Sequence, residues 1–191
     1  MPYLKANFDE LIERMRHGRD LGHASYEPVY YFVFPPSRIL DVKRALPVAW
    51  TSRLRNEGWD VHTFSIAEHI TSILSAAAPR KIWLAADRKA PQAWKRTNDA
   101  LANALSQGAL QQRLETKLTE LQDIPNALLL VTDLEALHPY MRIGAIESQL
   151  YGKFYVSTVF LYPGERTGKT RLKFMGFYPD DGNYRSVHVG G

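Results

Sequence analysis

The chain has 191 residues, 45% of them apolar and 23% charged, the make-up of a globular protein with its own core and not of a disordered one. It has no cysteine, which excludes disulfides, thiol catalysis and thiolate metal sites and fits a reducing compartment. The net charge is a mildly basic +4, no apolar h-region opens the chain, and no apolar run approaches the ~20 residues of a membrane helix, so a cytoplasmic protein without a membrane segment is expected.

Leu4, Phe8, Leu11, Ile12 and Met15 recur at helical spacing, and residues 3–17 are read as an amphipathic helix. After a linker with Gly18, Gly22 and Pro28, the run VYYFVF (29–34) predicts a strand covered on both faces, as in a parallel sheet. Residues 38–57 are helical in pattern, but Pro47 predicts a break, with a new helix starting there. A strand over 59–64 follows. Ser65 and Glu68 then form a capping box for a helix reaching about Ala77. Residues 80–90 fit either helix or strand. Residues 91–122 are helical, with a break at Gly108. ALLLVT (127–132) is a third parallel-type strand.

His138-Pro139 is read as a helix start with proline at N1, the helix running to Leu150. The last stretch, 154–189, is read as three strands joined by turns at Pro163-Gly164 and Pro179–Gly182. This order predicts one α/β domain over residues 1–191. Its sheet is mostly parallel, flanked by helices on both faces, with a C-terminal antiparallel hairpin at one edge.

Candidate chemistry is sparse. Gly164–Thr170 imitates a phosphate loop, but its glycines are separated by three residues instead of four, and a strand pattern follows where a helix is needed, so a solvated turn is expected. In an open α/β sheet ligands collect at the carboxyl ends of the strands. There, Asp133 follows an apolar strand like the magnesium-binding aspartate of an ATPase, or serves as a helix cap. Glu135 lies beside it. His138 and Arg142, four apart, would share a helix face as an anion or partner site, or as a cap and a salt bridge.

The six histidines have no metal-ligand spacing, and no nucleophile elbow exists. Basic residues gather at Arg14, Arg16 and Arg19, at Arg38, Lys43, Arg44, Arg53 and Arg55, and at Arg80, Lys81, Arg88, Lys89, Lys95 and Arg96. They are either nucleic-acid phosphate contacts or, more plainly, solvated helix faces.

His138-Pro139-Tyr140-Met141-Arg142, the strand ending FLYPGE (160–165), Phe174-x-Gly176-Phe177 and Asp181-x-Asn183-Tyr184-Arg185 together resemble the BrxB family of the BREX bacteriophage-exclusion systems. The N-terminal helix, the YYFVF strand and Glu57-Gly58 are similar too. The resemblance implies a fold related to the nucleotide-binding α/β class that has lost its phosphate loop. It also implies a defence component with no catalytic activity and no cofactor, acting through other BREX proteins. A PglZ-type phosphatase-like protein is the chief partner, and the BREX ATPase is a further one. Asp133, Glu135, His138, Tyr140, Arg142, Glu165, Asn183, Tyr184 and Arg185 are the candidate partner or anion site. The alternative is a nucleotide-binding or DNA-binding accessory domain.

Overall fold

A computed structural model describes residues 2–21, 28–168, 171–182 and 186–191. Five parallel strands form the sheet: β1 (Val29–Phe34), β2 (Asp60–Ser65), β3 (Ala127–Thr132), β4 (Ser157–Arg166) and β7 (Val187–Gly190), in the order β2-β3-β4-β1-β7. Successive strand side chains point to opposite faces, and here both faces are covered. Tyr31, Val33, Leu129, Val131, Phe160 and Tyr162 face one helical layer, formed by α4 (Ile66–Ala76), α7 (Ala109–Leu121) and α8 (Ile143–Gln149). Tyr30, Phe32, Leu128, Leu130, Val159 and Leu161 face the other, formed by α1 (Pro2–Leu21), α2 (Ile39–Ala45) and α3 (Thr51–Asn56). This double burial is why VYYFVF and ALLLVT are apolar without alternation.

The predicted α1 stripe is correct: Leu4, Phe8, Leu11, Ile12 and Met15 are all buried. Ser65 caps α4 as expected, its Oγ accepting from the Glu68 N–H at 3.2 Å. Residues 80–90 resolve as helix α5 (Arg80–Lys89), and Gly108 (φ +88°) separates α6 (Trp94–Leu105) from α7.

Four expectations are corrected. Pro47 does not end a helix. Leu46–Trp50 form a π-helical turn that joins α2 to α3, and the widened turn accommodates a residue with no N–H to give. Thr51 Oγ1 also donates to the Leu46 carbonyl at 2.7 Å. No helix starts at Pro139. His138 takes the extended conformation favoured before proline (φ −70°, ψ 136°), a 3-10 turn occupies Leu134–Leu137, and α8 begins only at Ile143.

Pro163-Gly164 does not stop β4. The strand leaves the parallel sheet at Pro163 and pairs antiparallel with β5 (Arg171–Phe174) through Gly164–Arg166. Gly164 is required there because a Cβ would lie 2.4 Å from the Lys173 carbonyl oxygen. Lastly, Asp180–Gly182, expected as a turn, is strand β6 against β5, and Val187–Gly190 does not fold back on the hairpin. It pairs parallel with β1 as β7, giving that apolar strand its second neighbour. The antiparallel ladder β4-β5-β6 therefore grows from the end of a central strand, not from a sheet edge. The Gly164–Thr170 segment precedes strand β5 and not a helix; Lys169 and Thr170 lie outside the described residues.

Candidate functional site

The chain leaves β1 through Pro35 and a 3-10 turn (Pro36–Arg38) into α2, on one face of the sheet. It leaves β3 through Asp133 into the turn Leu134–Leu137, on the other face. Connections that diverge to opposite faces open a crevice beyond the strand ends. Here it measures about 240 Å³ and is lined by Phe34, Ile39, Lys43, Leu46, Asp133 and Glu135, among others.

Lys43 of α2 spans this crevice. Its Nζ lies 2.7 Å from Asp133 Oδ1 and 2.6 Å from Glu135 Oε1. Asp133 Oδ2 accepts from Ser65 Oγ at 2.7 Å and from Thr132 Oγ1 at 2.8 Å. Burial opposes the charge on the Asp133 carboxyl, but the bonds from Lys43, Ser65 and Thr132 outweigh it and hold its pKa below the ordinary value. Burial likewise opposes the Lys43 ammonium, and the two carboxylates outweigh it, holding its pKa high.

Asp133, which follows its strand as an ATPase's magnesium-binding aspartate does and is also read as a helix cap, makes no capping bond to the turn it begins. It sits in the left-handed region (φ 60°, ψ 37°) with its oxygens turned to Lys43, Ser65 and Thr132. Both oxygens are thus engaged, and a metal ion would have to displace Lys43. Among the described residues no group of three His, Asp or Glu is placed to hold a metal.

Lys43→Met would leave Asp133 and Glu135 facing each other without their cation. The ammonium is half exposed, so after solvent screening the expected loss is about 1 kcal/mol, shrinking at high salt. Urea unfolding at two ionic strengths checks this, and an unchanged midpoint at low salt would contradict it.

The other predicted residues collect elsewhere. Arg142 lies over the Tyr178 ring, its guanidinium carbon 3.3 Å from the ring centroid, and 6.0 Å from that of Phe174. His138 Nδ1 hydrogen-bonds the Tyr178 hydroxyl. The His138 ring meets Phe177 edge-on at 5.5 Å, and Phe177 leans on Tyr178 at 4.6 Å. Phe177 remains 61% exposed.

His138 and Arg142 thus converge on one residue, Tyr178, without the shared helix that their spacing suggested. Glu165 is exposed on β4 opposite Lys173, beside the turn at Gly176. Tyr140 is half-buried against the core. Asn183, Tyr184 and Arg185 lie outside the described residues. The candidate set therefore divides: Asp133 and Glu135 in the crevice, His138 and Arg142 at the aromatic turn. Sequence reasoning missed Lys43 as their counter-ion and Tyr178 as the common partner. Neither pairing has a local signal, because about 90 residues of chain separate the members of the first and about 40 those of the second.

The model of one protein family, BREX protein BrxB, matches residues 63–189, from the middle of β2 to the end of β7. The N-terminal resemblance, in α1 and β1, lies outside that match. No curated protein and no solved structure matches the chain.

Proposed function

The chain belongs to the BrxB family and is a component of a BREX system; we propose that its work there is to bind, without catalysis, a PglZ-type phosphatase-like protein. The observation that carries this reading is the exposed Phe177 on its platform of His138, Tyr178 and Arg142. An aromatic ring held ready by an arginine-stacked tyrosine is the kind of anchor on which interface energies concentrate. Its side chain is already ordered by its neighbours, so little freedom is lost on docking. The crevice supports the same reading, since both of its carboxylates, Asp133 and Glu135, are already engaged from within by Lys43.

Co-expression with the PglZ-type protein, followed by size-exclusion chromatography with light scattering, tests it. The two are expected to elute together. Phe177→Ala is expected to weaken the complex by about thirtyfold, the ~2 kcal/mol of an anchor residue. Separate elution of the wild-type proteins would overturn the reading. Undiminished binding by Phe177→Ala would move the interface elsewhere.

A further inference from the structure

The charge of this protein is unevenly placed. Residues 80–96 hold six cations (Arg80, Lys81, Arg88, Lys89, Lys95 and Arg96) and one carboxylate, Asp87, five net positive charges. The other 18 cations and 19 carboxylates leave the rest of the chain at −1. The segment is the helical hairpin α5–α6, packed on α4 at the side of the sheet. No residue of α5 is buried, and α6 buries only Leu105.

The cations are largely unneutralised. Lys95 pairs with Asp99 at 3.0 Å, and the Asp87 carboxylate accepts from Thr97. Among the described residues, Arg80, Lys81, Arg88, Lys89 and Arg96 have no carboxylate within 4.0 Å. Lys81, Arg88 and Lys89 stand seven and eight apart, along one stripe of α5. Trp94, at the start of α6, is 62% exposed.

We propose that the α5–α6 hairpin is a nucleic-acid-binding arm that holds the phosphate backbone through Arg80, Lys81, Arg88, Lys89 and Arg96. A polyanion with evenly spaced charges suits a row of unpaired cations, whose binding is driven by release of counter-ions. Trp94 offers a surface on which an unpaired base can stack. A bilayer surface suits the arm less well. Ile82, the most exposed apolar residue of α5, shares its stripe with Lys89, and Trp83 and Leu84 turn toward Leu74 and Leu101, so no continuous apolar face is left to enter lipid. The inference stands apart from partner binding through Phe177.

The test is fluorescence anisotropy of the full chain with a labelled mixed-sequence duplex and, separately, the corresponding single strand, across a salt series. Five phosphate contacts predict a duplex slope of log affinity against log salt of about −4 to −5, roughly a 500-fold loss from 50 to 200 mM. Replacing Lys81, Arg88 and Lys89 together by Glu is expected to reduce that slope by about three. A control with the same charge change on exposed cations elsewhere, Lys5→Glu, Arg44→Glu and Arg55→Glu, is expected to keep the slope.

The stronger of the two oligonucleotides identifies the form of nucleic acid. Absence of binding to both at low salt would overturn the proposal, as would equal loss in the control. Arm-dependent binding to anionic lipid vesicles in place of either oligonucleotide would assign the arm to a membrane surface instead.

Discussion

Phe160→Ala is expected to destabilise the protein by about 3–5 kcal/mol, the cost of deleting a large ring from a close-packed core. Phe160 is fully buried in β4, between β3 and β1, where its partners in register are Val131 and Tyr31. It stacks on Tyr31 at 5.0 Å and meets Phe154 edge-on at 6.1 Å. The helices above it close against rigid strands, so the vacated volume cannot collapse freely. Equilibrium urea unfolding measures the loss, and a change under 1 kcal/mol would contradict this account of the core. Phe177→Ala supplies the contrast: the same ring removed from an exposed position is expected to change stability by no more than about 0.5 kcal/mol.

Acid is expected to weaken the fold from about pH 6.5 downward. His188 is buried in β7 against Tyr31, near Arg166, with Ser186 Oγ 3.3 Å from its Nε2. Burial, aided by the Arg166 charge, pushes its pKa from 6.5 down to about 4. As pH falls through 6.5 the unfolded chain takes up a proton that the folded chain refuses until about pH 4. Protonation then favours the unfolded state across that window, by about 3 kcal/mol in all.

His69, stacked on Phe64 at 3.9 Å, works in the same sense, its pKa lowered by burial and by Arg113. Asp133 acts in a separate window. Its folded pKa lies below 3.8, so its contribution is complete above that pH and is lost only in stronger acid. Urea midpoints at several values between pH 7 and 4.5 check the effect, and His188→Gln is expected to flatten most of the slope. A wild-type midpoint that does not move over this range would refute it.

The parallel sheet was legible because its strands are short, wholly apolar and bounded by proline, glycine or polar turns. β1 and β3 fall on the residues that the pattern indicates. Local capping was legible for the same reason, since Ser65 and Glu68 meet within one helical turn. What failed was everything decided by distant partners.

Pro47 is a helix breaker only if the turn around it keeps the α-helical bond, and a π turn does not. Pro163 ends a strand only where a neighbour needs its N–H; beyond Phe34 there is none, and β4 continues toward β5. Val187–Gly190 has the composition of a hairpin return, but the free side of β1 is the better partner. At the candidate sites, sequence located the strand-end acids and the His138–Arg142 segment. It could not show that Lys43 bridges the first or that Tyr178 gathers the second.

The position of β1 has a kinetic consequence. It is the first strand of the chain, yet both of its neighbours, β4 and β7, belong to the last quarter. A ribosome making roughly 5–20 residues per second needs about 6–25 s to travel the ~120 residues from Phe34 to Ser157. Throughout that interval six consecutive apolar residues, four of them aromatic, have no edge to join. Such pairing of remote segments also slows refolding of the finished chain. The nascent protein is therefore a client for holding chaperones over most of its synthesis, with VYYFVF the segment they would shield and the arrival of β4 the event that releases it.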